Sequence, residues 1–251
     1  MNVHQRVRRP VRRRVHQRTQ WRADPSGARY RMRRSFPAAP PSATVLLAGP
    51  GSVSVLDGQG RDDSLLGELT GRLVATGAQV LTCDMPPREP DTPAAEPDQR
   101  RRAERLAQLL RAHEHVLVRP FVLLGFSLGG LALLRLLRTG EPRQADRVVL
   151  VGTVIEEDAF LTSRVPSLDL VYGGLDLIGY VAEAEGRTLP PVVFTPDHYG
   201  QWSASRLVGQ HAFEVRTHLL EGLGHTLNPC GPGPSRDPVD SLLSFVDGTA
   251  R

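Results

Sequence analysis

The pentapeptide Gly125-Phe126-Ser127-Leu128-Gly129 constrains this chain more than any other feature, because of what stands on either side of it. Before it, Phe121-Val122-Leu123-Leu124 is a short apolar run bounded by Pro120, the pattern of a buried strand. After it, Leu131, Leu133, Leu134, Leu136 and Leu137 are interleaved with Arg135 and Arg138, the pattern of a helix. A G-x-S-x-G spacing also arises by chance, so its setting between strand and helix carries the argument. In that setting the serine sits on a tight, strained turn, and glycines two before and two after leave room for the backbone. The turn lifts the hydroxyl to the end of the sheet, and the helix aims its first N–H groups at developing negative charge.

Around this unit the chain alternates strand and helix patterns. Thr44 to Ala48 reads as a strand leading into Gly49-Pro50-Gly51. Leu65, Leu66, Leu69 and Leu73 mark one helix face, with Asp62, Asp63 and Ser64 as cap candidates and Gly77 as the stop. Ala78 to Cys83 reads as a strand, followed by a proline-rich loop holding Pro86, Pro87, Pro90, Pro93 and Pro97. Ala103, Leu106, Ala107 and Leu110 give an amphipathic helix whose arginine-rich side is expected to be solvated. Arg147–Val151, Leu168–Tyr172 and Phe213–Leu220 read as further strands, and Asp237-Pro238 opens a last helix as cap and first helical residue. Continuous apolar strands between helices imply an α/β fold, a mainly parallel sheet flanked by helices on both faces.

Charge is distributed unevenly. All 31 basic residues are arginine, which points to a GC-biased coding sequence rather than to a function. Twelve of them fall in residues 1–34 beside one acid, Asp24, a local net charge of +11, and the remainder carries −7. Residues 15–21 and 29–36 flank the turn Asp24-Pro25-Ser26-Gly27, and Val15, Tyr30 and Met32 alternate with charged neighbours. The expectation is an antiparallel edge hairpin with arginine on its solvent face. No nucleic-acid partner is expected. Residues 1–11 form a basic extension expected to be disordered, and residues 12–251 a single domain.

Cys83 and Cys230 form neither a disulfide framework nor a metal cluster; Cys83 reads as a buried thiol. No stretch approaches the roughly 18 apolar residues of a membrane span, and no signal segment follows the basic start, so a cytoplasmic location is the default.

A serine hydroxyl at neutral pH needs a base within hydrogen-bond reach, and the base needs a carboxylate. Of the eight histidines, His225 stands out, since Gly222-Leu223-Gly224-His225 follows the last strand where the chain turns across the sheet end. For the carboxylate, Val165–Tyr172 followed by Gly173-Gly174-Leu175 would present Asp176 at a strand end, and Asp197 competes from a shorter separation. Oxyanion donors are expected from the N–H groups of Leu128 and of Gly49, Pro50 having none to give.

These segments resemble the α/β-hydrolase fold superfamily. The order Ser127, Asp176, His225 follows its chain order, and Gly125–Gly130 resembles its nucleophile elbow. Val165–Asp176 resembles its acid-bearing strand and turn, Leu46–Gly51 its oxyanion loop and Gly224-His225 its histidine loop, the resemblance covering roughly residues 13–248. Ala48 departs from the histidine usual before the loop glycine, and some 20 residues between Asp176 and the last strand are extra.

The resemblance implies a capless serine hydrolase, esterase- or thioesterase-like, cleaving a carboxylic ester or thioester through an acyl-enzyme, with no metal or organic cofactor. Phe126, Tyr199 and Trp202 would then wall an apolar pocket for a small or medium acyl substrate. An acyltransferase or editing thioesterase would share the chemistry up to the acyl-enzyme, and a non-catalytic binding protein would keep only the fold.

Overall fold

The computed structural model describes residues 15–51, 56, 63–86, 96–140, 144–155, 165–176, 195–207, 212–230 and 237–249. The basic extension at residues 1–11 lies outside them, as do Pro87, Pro90 and Pro93 of the proline-rich loop. In chain order the elements are β1 (His16–Ala23), β2 (Arg29–Phe36), β3 (Ala43–Ala48), α1 (Asp63–Ala75), β4 (Ala78–Cys83), α2 (Glu96–His113), β5 (Phe121–Phe126), α3 (Leu128–Arg138), β6 (Arg147–Val151), β7 (Val165–Gly173), α4 (Pro196–Arg206), β8 (Ala212–Leu220) and α5 (Pro238–Asp247).

The eight strands form one sheet in the order β1-β2-β4-β3-β5-β6-β7-β8. From β3 to β8 the pairing is parallel, and β1 and β2 join it antiparallel, the expected architecture. Parallel strands require buried faces, and period two sorts their side chains onto two cores. Leu46, Leu81, Leu123, Val148 and Leu168 face α2 and α3. Val45, Val80, Val122, Leu124 and Val149 face α1 and α5. From β4 the chain returns past β3 to place β5 on its other side, so the strand order reverses between β3 and β5. The crevice at the carboxyl ends of those two strands is where sheets of this kind bind ligands.

The hairpin is an edge ribbon, with β1 exposed along its whole length while Tyr30 and Met32 of β2 are buried. Two ion pairs fasten it to the body. Arg31 forks onto Asp84 at 2.7–3.0 Å, and Asp24, in the hairpin turn, meets Arg105 of α2 at 2.6 Å with both side chains buried.

Two expectations are corrected in α2. Pro97 is not in a loop; it occupies the second residue of the helix, where its missing N–H costs no hydrogen bond. The arginine-rich side is not wholly solvated: Arg102 and Arg105 are buried. They lie one turn from Leu106 and Leu109 on the inward side, and each finds oxygens there to bind.

The Asp24–Arg105 pair carries a testable stability. Burial disfavours ionised Asp24, but hydrogen bonds from Ser26 and Arg105 outweigh that cost and hold its carboxyl at about 2. Asp24→Asn is expected to destabilise the fold by about 3–5 kcal/mol at pH 7 in urea unfolding, because the Arg105 charge stays buried without its partner. A carboxyl held low in the folded state contributes stability above its unfolded pKa and loses it on acidification. The advantage of the natural protein over Asp24→Asn should therefore shrink between about pH 4 and pH 2. A difference that is flat across this range would contradict the assignment.

Candidate active site

Ser127 follows the last residue of β5 and precedes the first of α3, with φ 49° and ψ −118°. A non-glycine residue at positive φ is strained and persists only when its surroundings over-determine it. They do so here. The Ser127 N–H donates to Val151 O at 2.7 Å, and its carbonyl accepts from the N–H groups of Gly130 (2.9 Å) and Leu131 (3.2 Å) and from the Thr153 hydroxyl (3.3 Å).

The glycines around it are required by close approach. A Cβ on Gly125 would stand 2.7 Å from Gly130 Cα, one on Gly129 2.3 Å from Gly49 O, and one on Gly130 2.1 Å from the Thr153 hydroxyl. Without side chains there, α3 begins directly against β5 and the Ala48–Gly49 backbone. The N–H groups of the first helical turn have no acceptors within the helix, so that of Leu128, next to Ser127, is open to a ligand oxygen.

His225 arrives on the loop after β8. That loop is closed by Gly224 N–H to Asn228 O (2.8 Å) and Cys230 N–H to Gly222 O (2.9 Å), with Leu227 at φ 62°. It crosses the sheet end over two bare backbones. A Cβ on Gly173 would lie 2.2 Å from the carbonyls of Leu223 and Gly224, and one on Gly152 2.4 Å from His225 O. Asp176 stands on the turn after β7, which is tied to the last residue of β8 by Gly174 N–H to Leu220 O and to the same loop by Leu175 N–H to Leu223 O, both 2.9 Å.

The three side chains meet. His225 Nε2 lies 2.8 Å from Ser127 Oγ, and Nδ1 lies 3.0 Å from both Oδ1 and Oδ2 of Asp176. The carboxylate is buried and the ring partly so, with side chains 4% and 12% exposed. A carboxylate facing Nδ1 favours the tautomer with its proton there, which leaves Nε2 to accept from the serine hydroxyl.

Asp197, the competing acid, is not part of this cluster. It is exposed in the first turn of α4 and accepts from Gln201 Nε2 at 3.0 Å.

The pocket residues are placed differently from expectation. Phe126 is buried in the core beneath α1 and α5, on the same face of β5 as Val122 and Leu124, so it is not a pocket wall. Tyr199 and Trp202 lie on α4; their rings stack at 6.2 Å, Tyr199 is buried, and α4 packs on β7 and β8. Gly49 lies against α3 as described, and Leu128 opens that helix.

One residue of the site went unread in the sequence. Arg102, fully buried in α2, donates from Nη1 to Pro50 O at 3.0 Å and from Nη2 to Gly51 O at 3.3 Å and to Pro86 O. It ties down the loop after β3. Its signal was spacing alone, four residues before Leu106 on a helix whose apolar stripe faces the sheet.

Among the described residues no group of histidine, cysteine and acidic side chains could hold a metal ion, and no helix is long and apolar enough to cross a membrane. No protein-family model and no curated protein sequence matches the chain. Solved structures do. The molecule superposes on a dienelactone hydrolase from Anabaena variabilis with a TM-score of 0.61 at 15% identity, over 93% of this chain and 96% of that one. The chain has the α/β-hydrolase fold. Other α/β-hydrolase structures align equally fully. An α/β serine hydrolase without a lid from Xanthomonas campestris gives a TM-score of 0.58 at 13% identity, over 93% of each chain. A dienelactone hydrolase-like promiscuous phosphotriesterase from metagenomic libraries gives 0.57 at 18% identity, over 92% of this chain and 95% of that one.

Proposed function

We propose that this α/β-hydrolase-fold protein is a serine hydrolase that cleaves a carboxylic ester or thioester through an acyl-enzyme. The observation that carries the reading is the hydrogen-bonded line from Ser127 Oγ through the His225 ring to Asp176. Ser127 Oγ attacks the acyl carbon as its proton passes to His225 Nε2, and the imidazolium is stabilised by the buried Asp176 carboxylate. The tetrahedral oxyanion is held by the Leu128 N–H and a second N–H from the loop after β3. Collapse expels the alcohol or thiol, which takes the proton from Nε2. Water, deprotonated by the same nitrogen, then releases the acid and restores Ser127. The ester half of this reading fits the names of the structural neighbours, which include a dienelactone hydrolase and esterases.

The reading is tested by assaying the protein against p-nitrophenyl esters and acyl thioesters of increasing chain length. Hydrolysis of at least one class, abolished in His225→Ala, is the expected result. A folded protein that turns over none of them would overturn it.

A further inference from the structure

Resting on the reading of Ser127 as an acyl-transfer nucleophile, the position of Arg102 points to which N–H completes the oxyanion site. The carbonyl and N–H of a trans peptide point in opposite directions. Ala48 O and Gly49 O both lie against α3, since a Cβ on Gly129 would stand 2.5 and 2.3 Å from them. The Gly49 N–H shares its peptide with Ala48 O and is therefore turned away from the start of α3. Pro50 has no N–H. The Gly51 N–H shares its peptide with Pro50 O, the oxygen that Arg102 Nη1 holds at 3.0 Å. With Pro50 O drawn toward α2, the Gly51 N–H is directed away from α2, in the loop that leaves the carboxyl end of β3, the sheet end that also carries Ser127. No acceptor among the described residues takes it.

The chemistry of Arg102 fits this task better than a packing role. It is fully buried, and among the described residues no carboxylate lies within ion-pair distance of it. Its Nη1 and Nη2 donate instead to backbone oxygens, those of Pro50, Gly51 and Pro86, while its buried Nε finds no partner among the described residues. A buried charge is costly, and apolar residues of similar volume often serve stability as well or better. Burial lowers its pKa to about 10, with nearby Asp98 working in the opposite direction, so it stays a cation at neutral pH. A cation on Pro50 O also polarises the peptide and makes the Gly51 N–H a stronger donor.

We propose that Arg102 is a positioning residue for the reaction: by holding the Pro50 and Gly51 carbonyls it sets the Gly51 N–H, in place of Gly49, as the oxyanion donor paired with Leu128.

The test compares kcat, KM, pH profile and thermal unfolding for the natural protein, Arg102→Met, Arg102→Lys, Gly51→Pro and the double variant Arg102→Met/Gly51→Pro on one p-nitrophenyl ester. Arg102→Met should lower kcat by about 10²-fold, the scale of a lost oxyanion donor, with KM and the pH profile little changed. Arg102→Lys should recover part of that loss, because an ammonium still donates to carbonyls. If Arg102 acts through the Gly51 N–H, the double variant is no slower than Gly51→Pro alone. A folded Arg102→Met with natural kcat would overturn the proposal, as would losses that multiply in the double variant. Should Arg102→Met not fold, Arg102→Lys is combined with Gly51→Pro and judged by the same two criteria. Fluorophosphonate labelling separates the two levels. If the natural protein is labelled at Ser127 and the Arg102 variants turn over normally, only this inference fails; if it is never labelled, the hydrolase reading fails with it.

Discussion

Ser127→Ala is expected to lower ester turnover by roughly 10⁵- to 10⁶-fold while leaving substrate affinity nearly intact, measured as kcat and KM on the ester that the natural protein cleaves best. The loss is large because the nucleophile, base and acid act as a unit. His225 Nε2, 2.8 Å from Oγ, has no proton to take once the hydroxyl is gone. What survives is whatever catalysis the oxyanion donors and binding give to direct attack by water. The fold should not suffer. The strained φ of 49° at Ser127 is imposed by backbone hydrogen bonds to Val151 O, Gly130 N–H and Leu131 N–H, all of which alanine retains. A variant that keeps more than about a tenth of the activity would remove Ser127 from the chemistry.

Asp176→Asn is expected to cost about 10⁴-fold in kcat, with little change in stability, because an amide facing Nδ1 no longer enforces the tautomer in which Nε2 is the acceptor. Both carboxylate oxygens lie 3.0 Å from Nδ1, so in asparagine one of the two positions facing that nitrogen becomes an NH2 donor. Asp197→Asn is the matched control. Asp197 is exposed on α4 and engages Gln201, so its loss should leave turnover within about twofold of the natural protein's. Equal losses in the two variants, or a larger one at position 197, would contradict the geometry.

The contrast between these acids shows what a sequence can carry. Gly125 and Gly129, bracketing Ser127, mark a place where the backbone must pass close to another backbone, and Gly222 at φ 74° marks the turn that leads to His225; both requirements are visible residue by residue. The buried parallel strands were legible because both of their faces are apolar, which makes them continuous runs. The acid was ambiguous because spacing along the chain does not say which loop crosses the sheet end. That was decided by Gly173, where the histidine loop lies on bare backbone, and by the hydrogen bonds of Gly174 to the end of β8 and of Leu175 to that loop.

Where the reading failed, tertiary context overrode a local pattern. Period two along β5 puts Phe126 on the face of Val122 and Leu124, inside the core, although its place in the pentapeptide suggested a pocket. Arg102 and Arg105 looked like solvated charge because their partners, the Pro50, Gly51, Asp84 and Pro86 carbonyls and the Asp24 carboxylate, come from 16 to 81 residues away. No helix-level pattern reports such partners. The hairpin was legible from its turn, yet the buried pair that anchors it was not, for the same reason.

The central claim is that Ser127 forms a covalent bond during turnover. A fluorophosphonate allowed to react with the natural protein, followed by proteolysis and mass spectrometry of the peptides, tests it most directly. The expected result is one adduct per chain on the Ser127 side chain, with its appearance tracking the loss of activity, and none in Ser127→Ala. A protein that hydrolyses esters while carrying no adduct, or carrying it on another residue, would contradict the account.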